Sequence, residues 1–378
     1  MESLYFEFHP NDFGKNNEKK LSDGLSAVIY IGNELWVAND ETVTLERLLH
    51  NENKNEQLTY GGEGKHFRYD LQEYISVPVA SPDSQGEIEE IDIEGLDHRD
   101  GFIWIAGSHS AKRGKPNKNK SENDNVKHLA EVVTSGNRFL IARIPLVLQP
   151  DGNYMLDKAN AATLSGNATE NELTIALRDD IHLAPFLKIP SKDNGFDIEG
   201  LAVGENGRTF LGLRGPVLCG MAIILELQLS ATQQSPSDLN MNIIDADGSN
   251  YRKHFLDLNG LGIRDICIQG EDLLILAGPT MKIDGLEQVF RWKNGAKQVG
   301  GRVVWADSDE LKKVIDIPYE ADPEKDKTDT RKDHAEGITA FRMEGEQLHS
   351  LLVVYDNKSK SRQVGENIIR ADIFEIEN

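Results

Sequence analysis

The sequence predicts an all-β protein, a β-propeller with five blades favoured and six possible, carrying short helical insertions. Three observations predict it. A motif of an acidic residue, a glycine and an apolar residue recurs along the chain, each time ahead of a short β-rich strand. Those strands are only about 4–6 residues long, too short for buried helices. Turn residues that accept positive φ join the pairs, as at Gly32-Asn33, Asp100-Gly101, Asn206-Gly207 and Gly270-Glu271-Asp272.

In chain order the copies are Asp23-Gly24-Leu25 with Glu34 to Ala38, Glu94-Gly95-Leu96 with Phe102 to Ala106, and Glu199-Gly200-Leu201 with Thr209 to Leu213. Arg264-Asp265-Ile266 with Leu273 to Ala277, and Glu336-Gly337-Ile338 with Leu351 to Tyr355, complete the set. Residues 24, 95, 200, 265 and 337 are spaced by 71, 105, 65 and 72. A four-stranded blade needs roughly 40–50 residues, so each step holds one blade with long loops. The longest step holds an insertion, or a sixth blade. Third strands are read at Arg138 to Ile144, Ala222 to Leu227, Gln288 to Trp292 and Ile368 to Phe374. Sheets of this kind pack on one another, and radial closure removes their exposed ends. A two-sheet sandwich or two tandem β domains is the rival architecture.

The whole chain, 1–378, reads as one domain. A strand over residues 4–8 is expected to close the last blade, with insertions at 111–127, a basic loop, and 150–190, partly helical. Asn171 to Leu187 has apolar residues near helical spacing, and Ser308 to Ile315 opens with a Ser cap, so a short helix is expected in each. Glu320 to Lys332 reads as a charged, solvent-facing loop.

Composition narrows the partners. With 41 Lys+Arg against 63 Asp+Glu the formal charge is −22, which argues against polyanionic nucleic acid and membrane surfaces. A small anionic molecule or a protein partner remains. Two cysteines, Cys219 and Cys267, exclude a disulfide scaffold and fit a reducing compartment. No window is apolar enough to span a bilayer and the N-terminus lacks a secretory pattern, so the expected location is the cytoplasm.

Asp92-Ile93-Glu94-Gly95-Leu96 and Asp197-Ile198-Glu199-Gly200-Leu201 form a twice-used D-x-E-G-L motif. With Gly107-Ser108-His109-Ser110, Leu213-Arg214-Gly215-Pro216, Gly262-Ile263-Arg264-Asp265-Ile266, Ala277-Gly278-Pro279 and Glu336-Gly337-Ile338, the chain resembles the bacterial domain-of-unknown-function 3616 family from about residue 23 to 374. The resemblance implies a propeller and brings no established activity. The E-G-L strand starts are also similar to the esterase-like phytase domain and, more loosely, to gluconolactonase and paraoxonase propellers. In the latter, inner-strand carboxylates bind a catalytic divalent cation, a likeness of fold and residue type alone.

If the motif opens each innermost strand, Asp23, Glu94, Glu199, Arg264 and Glu336 face the ring axis. Four carboxylates facing one Arg cannot all stay ionised unless a cation sits between them. Ca²⁺, which tolerates irregular oxygen cages, suits such a funnel better than Mg²⁺, with Asp23, Glu94, Glu199 and Glu336 as ligands. The alternative is structural: glutamates accepting backbone hydrogen bonds, with Arg264 as counter-charge. A second set lies where the second strands turn back: His109, Ser110, Arg214, Thr280, and Asp356 with Asn357. Arg214 is a candidate anion clamp, His109 a candidate proton carrier, and His334 its runner-up. Against each stands a bland role, an interblade ion pair or a hydrogen-bonded structural histidine. Arg113 belongs to a basic island of Lys112, Arg113, Lys115, Lys118, Lys120 and Lys127 that either draws an anion to the mouth or is a solvated loop tip. No G-x-S-x-G, H-E-x-x-H or Walker A motif is present, and Asp245-Ala246-Asp247-Gly248 is only a fragment of a Ca²⁺ loop. The expectation is a metal-assisted hydrolase of a small phosphorylated or carboxylated ester; the competing one is a non-catalytic interaction or ligand-binding propeller.

Overall fold

A computed structural model describes residues 2–9, 20–52, 57–82, 88–281, 283, 285–318, 333–341, 350–356 and 362–376. The charged stretch Glu320 to Lys332 and Asn357 lie outside the described residues. The protein is mostly β. After β1 (Glu2–Glu7), a first sheet is formed by β2 (Leu25–Ile31), β3 (Glu34–Asn39), β4 (Thr44–Leu49) and, beyond the short β5 (Thr59–Gly61), β6 (His66–Asp70). Strand β5 instead pairs in parallel with β1.

A second group begins with β7 (Ile93–Arg99) and β8 (Phe102–Gly107). An arm follows, made of β9 (Ala111–Arg113), α1 (Glu122–Ala130) and β10 (Val132–Thr134), before the chain returns in β11 (Ile141–Leu148), β12 (Tyr154–Leu156) and β13 (Ala162–Leu164). The short α2 (Glu172–Ala176) leads to a third group: β14 (Asp197–Val203), β15 (Arg208–Leu218), β16 (Met221–Ala231), β17 (Asp238–Met241) and β18 (Tyr251–Asp257). Because β17 pairs with both β16 and β13, the second and third groups, without the β9–β10 arm and with a later short strand over 302–304 added beside β18, form one curled 11-stranded sheet. A four-stranded sheet then contains β19 (Gly262–Gln269), β20 (Asp272–Gly278), β21 (Glu287–Trp292) and, past β22 (Arg302–Val304), β23 (Leu311–Ile317). Last come β24 (Ala335–Phe341), β25 (Ser350–Tyr355) and β26 (Ile368–Glu375), with β1 antiparallel to β26.

The first strand of each group packs on the first strand of the next: β2 on β7, β7 on β14, β14 on β19, β19 on β24, and β24 back on β2. A hydrophobic core fills each gap between neighbouring groups. Trp36 and Leu45 meet Leu96 and Ile105; Trp104 and Ile141 meet Leu201 and Leu211. Phe210 and Ile224 meet Ile266 and Ile275, Leu274 and Leu276 meet Leu351 and Val353, and Leu352 and Val354 meet Leu35 and Val37. Alternate residues of one strand therefore enter different cores, Leu351 and Val353 one, Leu352 and Val354 the other. This is why the second strands read as unbroken apolar runs rather than as alternation: both faces are covered.

Three local expectations differ from the structure. Ser308 to Ile315 is not helical; Leu311–Ile317 is strand β23, because the free edge of β21 offers a ladder that a lone capped turn cannot match. Within 111–127, expected as a loop, α1 begins; Ser121 caps it by accepting the Asp124 N–H at 3.2 Å. In 150–190 the helix is limited to α2, capped by Asn171 accepting the Thr174 N–H at 3.0 Å, and a single turn Ala184–Phe186. Among the described residues no helix is long and apolar enough to cross a membrane.

The inner strands crowd one another. A Cβ on Gly95 would lie 2.5 Å from the Leu201 Cβ, one on Gly200 3.0 Å from the Ile266 backbone nitrogen, and one on Gly337 3.2 Å from the Ala27 Cα. Gly95→Ala is therefore expected to cost about 1–3 kcal/mol through forced separation of β7 and β14. Urea unfolding measures it, and an unchanged midpoint would remove crowding as the reason for the glycine.

Candidate functional site

Each inner strand skips one residue in its ladder with the second strand, at the same place. The skipped residues are Ser26, Glu94, Glu199, Arg264 and Glu336. A bulge leaves its extra residue unpaired and re-aims the side chain. Here it brings Ser26, Glu94, Glu199 and Glu336 to one cavity of about 360 Å³. Asp23 is not among them. It ends a 3₁₀ turn, Leu21–Asp23, exposed, accepting the Lys20 N–H at 3.4 Å. The first repeat's register is shifted: Ser26-Ala27 stands where three of the other strands carry Glu-Gly and one carries Arg264-Asp265, and Gly24 instead makes room for Asp40, whose Oδ1 would be 2.5 Å from a Cβ there.

Two arginines neutralise two of the three glutamates. Arg264 Nη1 lies 3.0 Å from Glu199 and 2.7 Å from Glu336; its Nη2 donates to the Pro279 carbonyl at 3.2 Å. Arg214 contacts Asp197 at 2.5 Å and also pairs with Glu199. Burial works against these guanidinium charges, but the carboxylates around them more than offset it, and both are held above the ordinary arginine value. Burial also pushes Glu199 and Glu336 upward against the pull of the arginines, and Asp197 up to about 7. Arg214 is thus occupied, and the free anion clamp expected of it is not what the geometry presents.

Glu94 differs. Among the described residues its carboxyl has no hydrogen bond and no ion pair. Burial, then Asp92, Glu199, Asp40 and Glu336, push it well above the usual carboxylate range. Asp40, which sequence reasoning missed, lines the same cavity. Its Oδ1 is shut off from solvent without a hydrogen-bond partner, and burial followed by Asp356 pushes its carboxyl well upward. A signal for Asp40 existed: it follows β3 as Asp356 follows β25, and both reach the cavity. Asp92, Arg138 and Lys192 also line it. Buried Arg138 contacts Asp92 at 2.7 Å and donates to Ser110 Oγ at 2.7 Å, so Ser110 lines the cavity already hydrogen-bonded.

The remaining candidates lie elsewhere or are engaged. His109 is buried outside the lining. Its Nδ1 meets the Gly107 carbonyl at 2.8 Å, the Asn171 amide meets its Nε2 at 2.7 Å, and Phe139 packs edge-on. Burial pushes it down to about 4, leaving a neutral ring with both nitrogens used. His334 lies outside the lining with Nδ1 3.3 Å from Glu287, which raises its pKa. Thr280 sits beside Gly262, also outside it. Arg113 does line the cavity, bound at 2.6 Å to Asp193. As to metals, among the described residues no three His, Cys, Asp or Glu side chains form a group able to hold an ion.

Removing Arg264 as Arg264→Gln strands Glu336 in the interior and leaves Glu199 to Arg214 alone, a loss of about 3–5 kcal/mol near pH 8. These carboxyls have folded pKa values above their unfolded 4.5, so the penalty grows as pH rises above that value and fades toward it. Denaturation across pH 4.5–8 checks this; a pH-independent loss would contradict it.

Comparison with known proteins follows from this geometry. The chain is similar in structure to Myxococcus xanthus glutaminyl cyclase, at 9% identity over 100% of this chain and 99% of that one, TM-score 0.36. It is similar to an exo-1,5-alpha-L-arabinanase from a bovine ruminal metagenomic library, at 9% identity over 93% of each chain, TM-score 0.37. It is similar to the PQQ-bound aldose sugar dehydrogenase of Streptomyces coelicolor, at 12% identity over 99% of each, TM-score 0.35. No curated protein sequence matches it. The model of a family described as "Protein of unknown function (DUF3616)" matches residues 24–372, and the chain belongs to that family.

Proposed function

We propose that the five strand groups are the blades of a five-bladed propeller, and that the cavity on its axis is the active site of a hydrolase for a small polar ester. Glu94 is the observation that carries the reading. It is the one inner-strand glutamate without an arginine partner among the described residues, it faces the cavity, and burial with the carboxylates around it pushes its pKa well above the usual carboxylate range. A carboxyl so tuned is placed to act as a general acid. In the proposed step water attacks the ester carbon or phosphorus, Asp40 takes the proton from that water, and Glu94 gives its own to the leaving oxygen. The acid and alcohol depart, and the proton on Asp40 returns to Glu94 through solvent.

A divalent cation needs several oxygen donors turned to one point. The residues as placed do not offer that arrangement, since Glu199 and Glu336 are held by Arg264, and no step is routed through a metal. A second reading, a non-catalytic ligand-binding propeller, is favoured by the same two ion pairs, which make half of the axial ring a neutralised structural element.

A panel of phosphomonoesters, lactones and carboxylic esters, run with EDTA, Ca²⁺ or Mn²⁺, tests the choice. Turnover in EDTA that falls about 100-fold or more in Glu94→Gln supports the hydrolase. Turnover only with a divalent ion would replace acid–base by metal chemistry. Ligand binding without turnover would establish the second reading. Stability supplies an independent check. A carboxyl raised in the folded state penalises folding as pH climbs above its unfolded 4.5. Glu94→Gln is therefore expected to melt higher than the parent at pH 7–8, with the gain vanishing toward pH 4.5. Equal melting at both ends would show that Glu94 is not strained.

A further inference from the structure

We propose that the molecule this cavity takes is a small zwitterion, its ammonium seated on Glu94 and Asp40 and its phosphate or carboxylate on Lys192 at the mouth. The inference rests on the cavity being a small-molecule site and deepens the ligand-binding reading of it, since an ammonium on Glu94 and Asp40 occupies the two carboxyls the hydrolytic step would use.

Most charged groups of the lining are already paired within the protein: Arg138 with Asp92 at 2.7 Å, Arg113 with Asp193 at 2.6 Å, Lys112 with Glu90 at 2.6 Å, and Arg214 with Asp197 and Glu199. Glu94 and Lys192 stand apart. Both line the cavity, and among the described residues neither has a hydrogen bond or an ion pair. Asp40 adds a second carboxyl with a buried, unpartnered oxygen. The charges that act most strongly on Glu94 are negative, from Asp92, Glu199, Asp40 and Glu336, and they outweigh Arg264, whose charge also reaches it. Such a field favours a cation over a neutral or anionic group.

At the other end Lys192 is exposed, yet its charge reaches Glu199. Its backbone is fixed. It sits in the turn Ser191–Asp193, where the Asp193 N–H donates to the Pro190 carbonyl at 2.9 Å, the Gly195 N–H donates to the same oxygen at 3.1 Å, and Ala111 bridges to Pro190. The arm adds Lys115 to the lining, together with Lys112 and Arg113, which Glu90 and Asp193 already hold. A bare anion would meet repulsion at the floor, and a bare amine would leave Lys192 unsatisfied. With a water's share of liquid at roughly 30 Å³, a cavity of about 360 Å³ holds a ligand of only modest size.

Isothermal titration of the full chain tests this with phosphoethanolamine, β-alanine and 4-aminobutyrate, against the half-molecules ethylamine, ethyl phosphate and propionate. At least one zwitterion is expected to bind about tenfold or more tighter than either of its halves. Lys192→Ala should reduce that zwitterion to the amine's affinity and leave ethylamine unchanged. Glu94→Gln should abolish ethylamine binding. Seating an ammonium on Glu94, whose surroundings favour its protonated form, draws that proton off, so the measured heat should vary with the buffer's ionisation enthalpy. Amine binding that depends on Glu94, with zwitterions no tighter than amines or indifferent to Lys192→Ala, overturns the zwitterion and keeps the cavity reading. Probes that all ignore Glu94→Gln overturn both.

Discussion

Close approach of five backbones near one axis is the constraint on which the rest depends. Where β7 meets β14, β14 meets β19 and β24 meets β2, the gaps admit no side chain at Gly95 or Gly200 and barely one at Gly337. A strand that must place a glycine there and still carry a functional residue next to it does so by bulging. The extra residue leaves the ladder and turns toward the cavity. Glycine and acid are thus two parts of one device, repeated with a change of residue from strand to strand.

The device concentrates charge, and concentrated charge has to be balanced. Putting Arg264 where three of the other strands put a glutamate answers two of those glutamates at once. Arg214, one strand outward, answers Glu199 again together with Asp197. Cross-strand bonds carry the same logic along the ring: Asp265 accepts the Ile338 N–H at 2.7 Å and Thr339 accepts the Tyr30 N–H at 3.2 Å. What escapes this balancing is Glu94, and an uncompensated carboxyl held in a folded protein at a cost to stability is a common mark of function.

The strand pairs and the axial positions Glu94, Glu199, Arg264 and Glu336 were legible in the sequence because crowding and bulging leave a local trace, a glycine beside a charged residue. Ser26 leaves none, since a small polar residue is unremarkable in a strand, and the acid-glycine pattern falls instead on Asp23-Gly24, three residues earlier. Lys192 belongs to the site through loop path, which no local pattern encodes, whereas Asp40 left a trace in its place after β3, matching that of Asp356 after β25. His109 stood out as a histidine in a turn. That Asn171, 62 residues away, would take up its ring nitrogen is a property of the folded chain only. Strand β23 shows the opposite failure: local helix signals at Ser308 and Glu310 yielded to a waiting edge on β21.

Strand β1 has its partner at the far end of the chain. Its six residues pair with Ile368 to Ile373 and, on the other side, with β5. A ribosome adding ~5–20 residues per second needs of the order of 20–75 s to reach that partner. Over that interval a nascent chain displays Leu4 and Phe6, both fully enclosed in the finished protein, on a strand lacking its longer neighbour. Closure of β1 on β26 thus waits until every strand between them has been made, and that interval is when chaperone protection of β1 matters most.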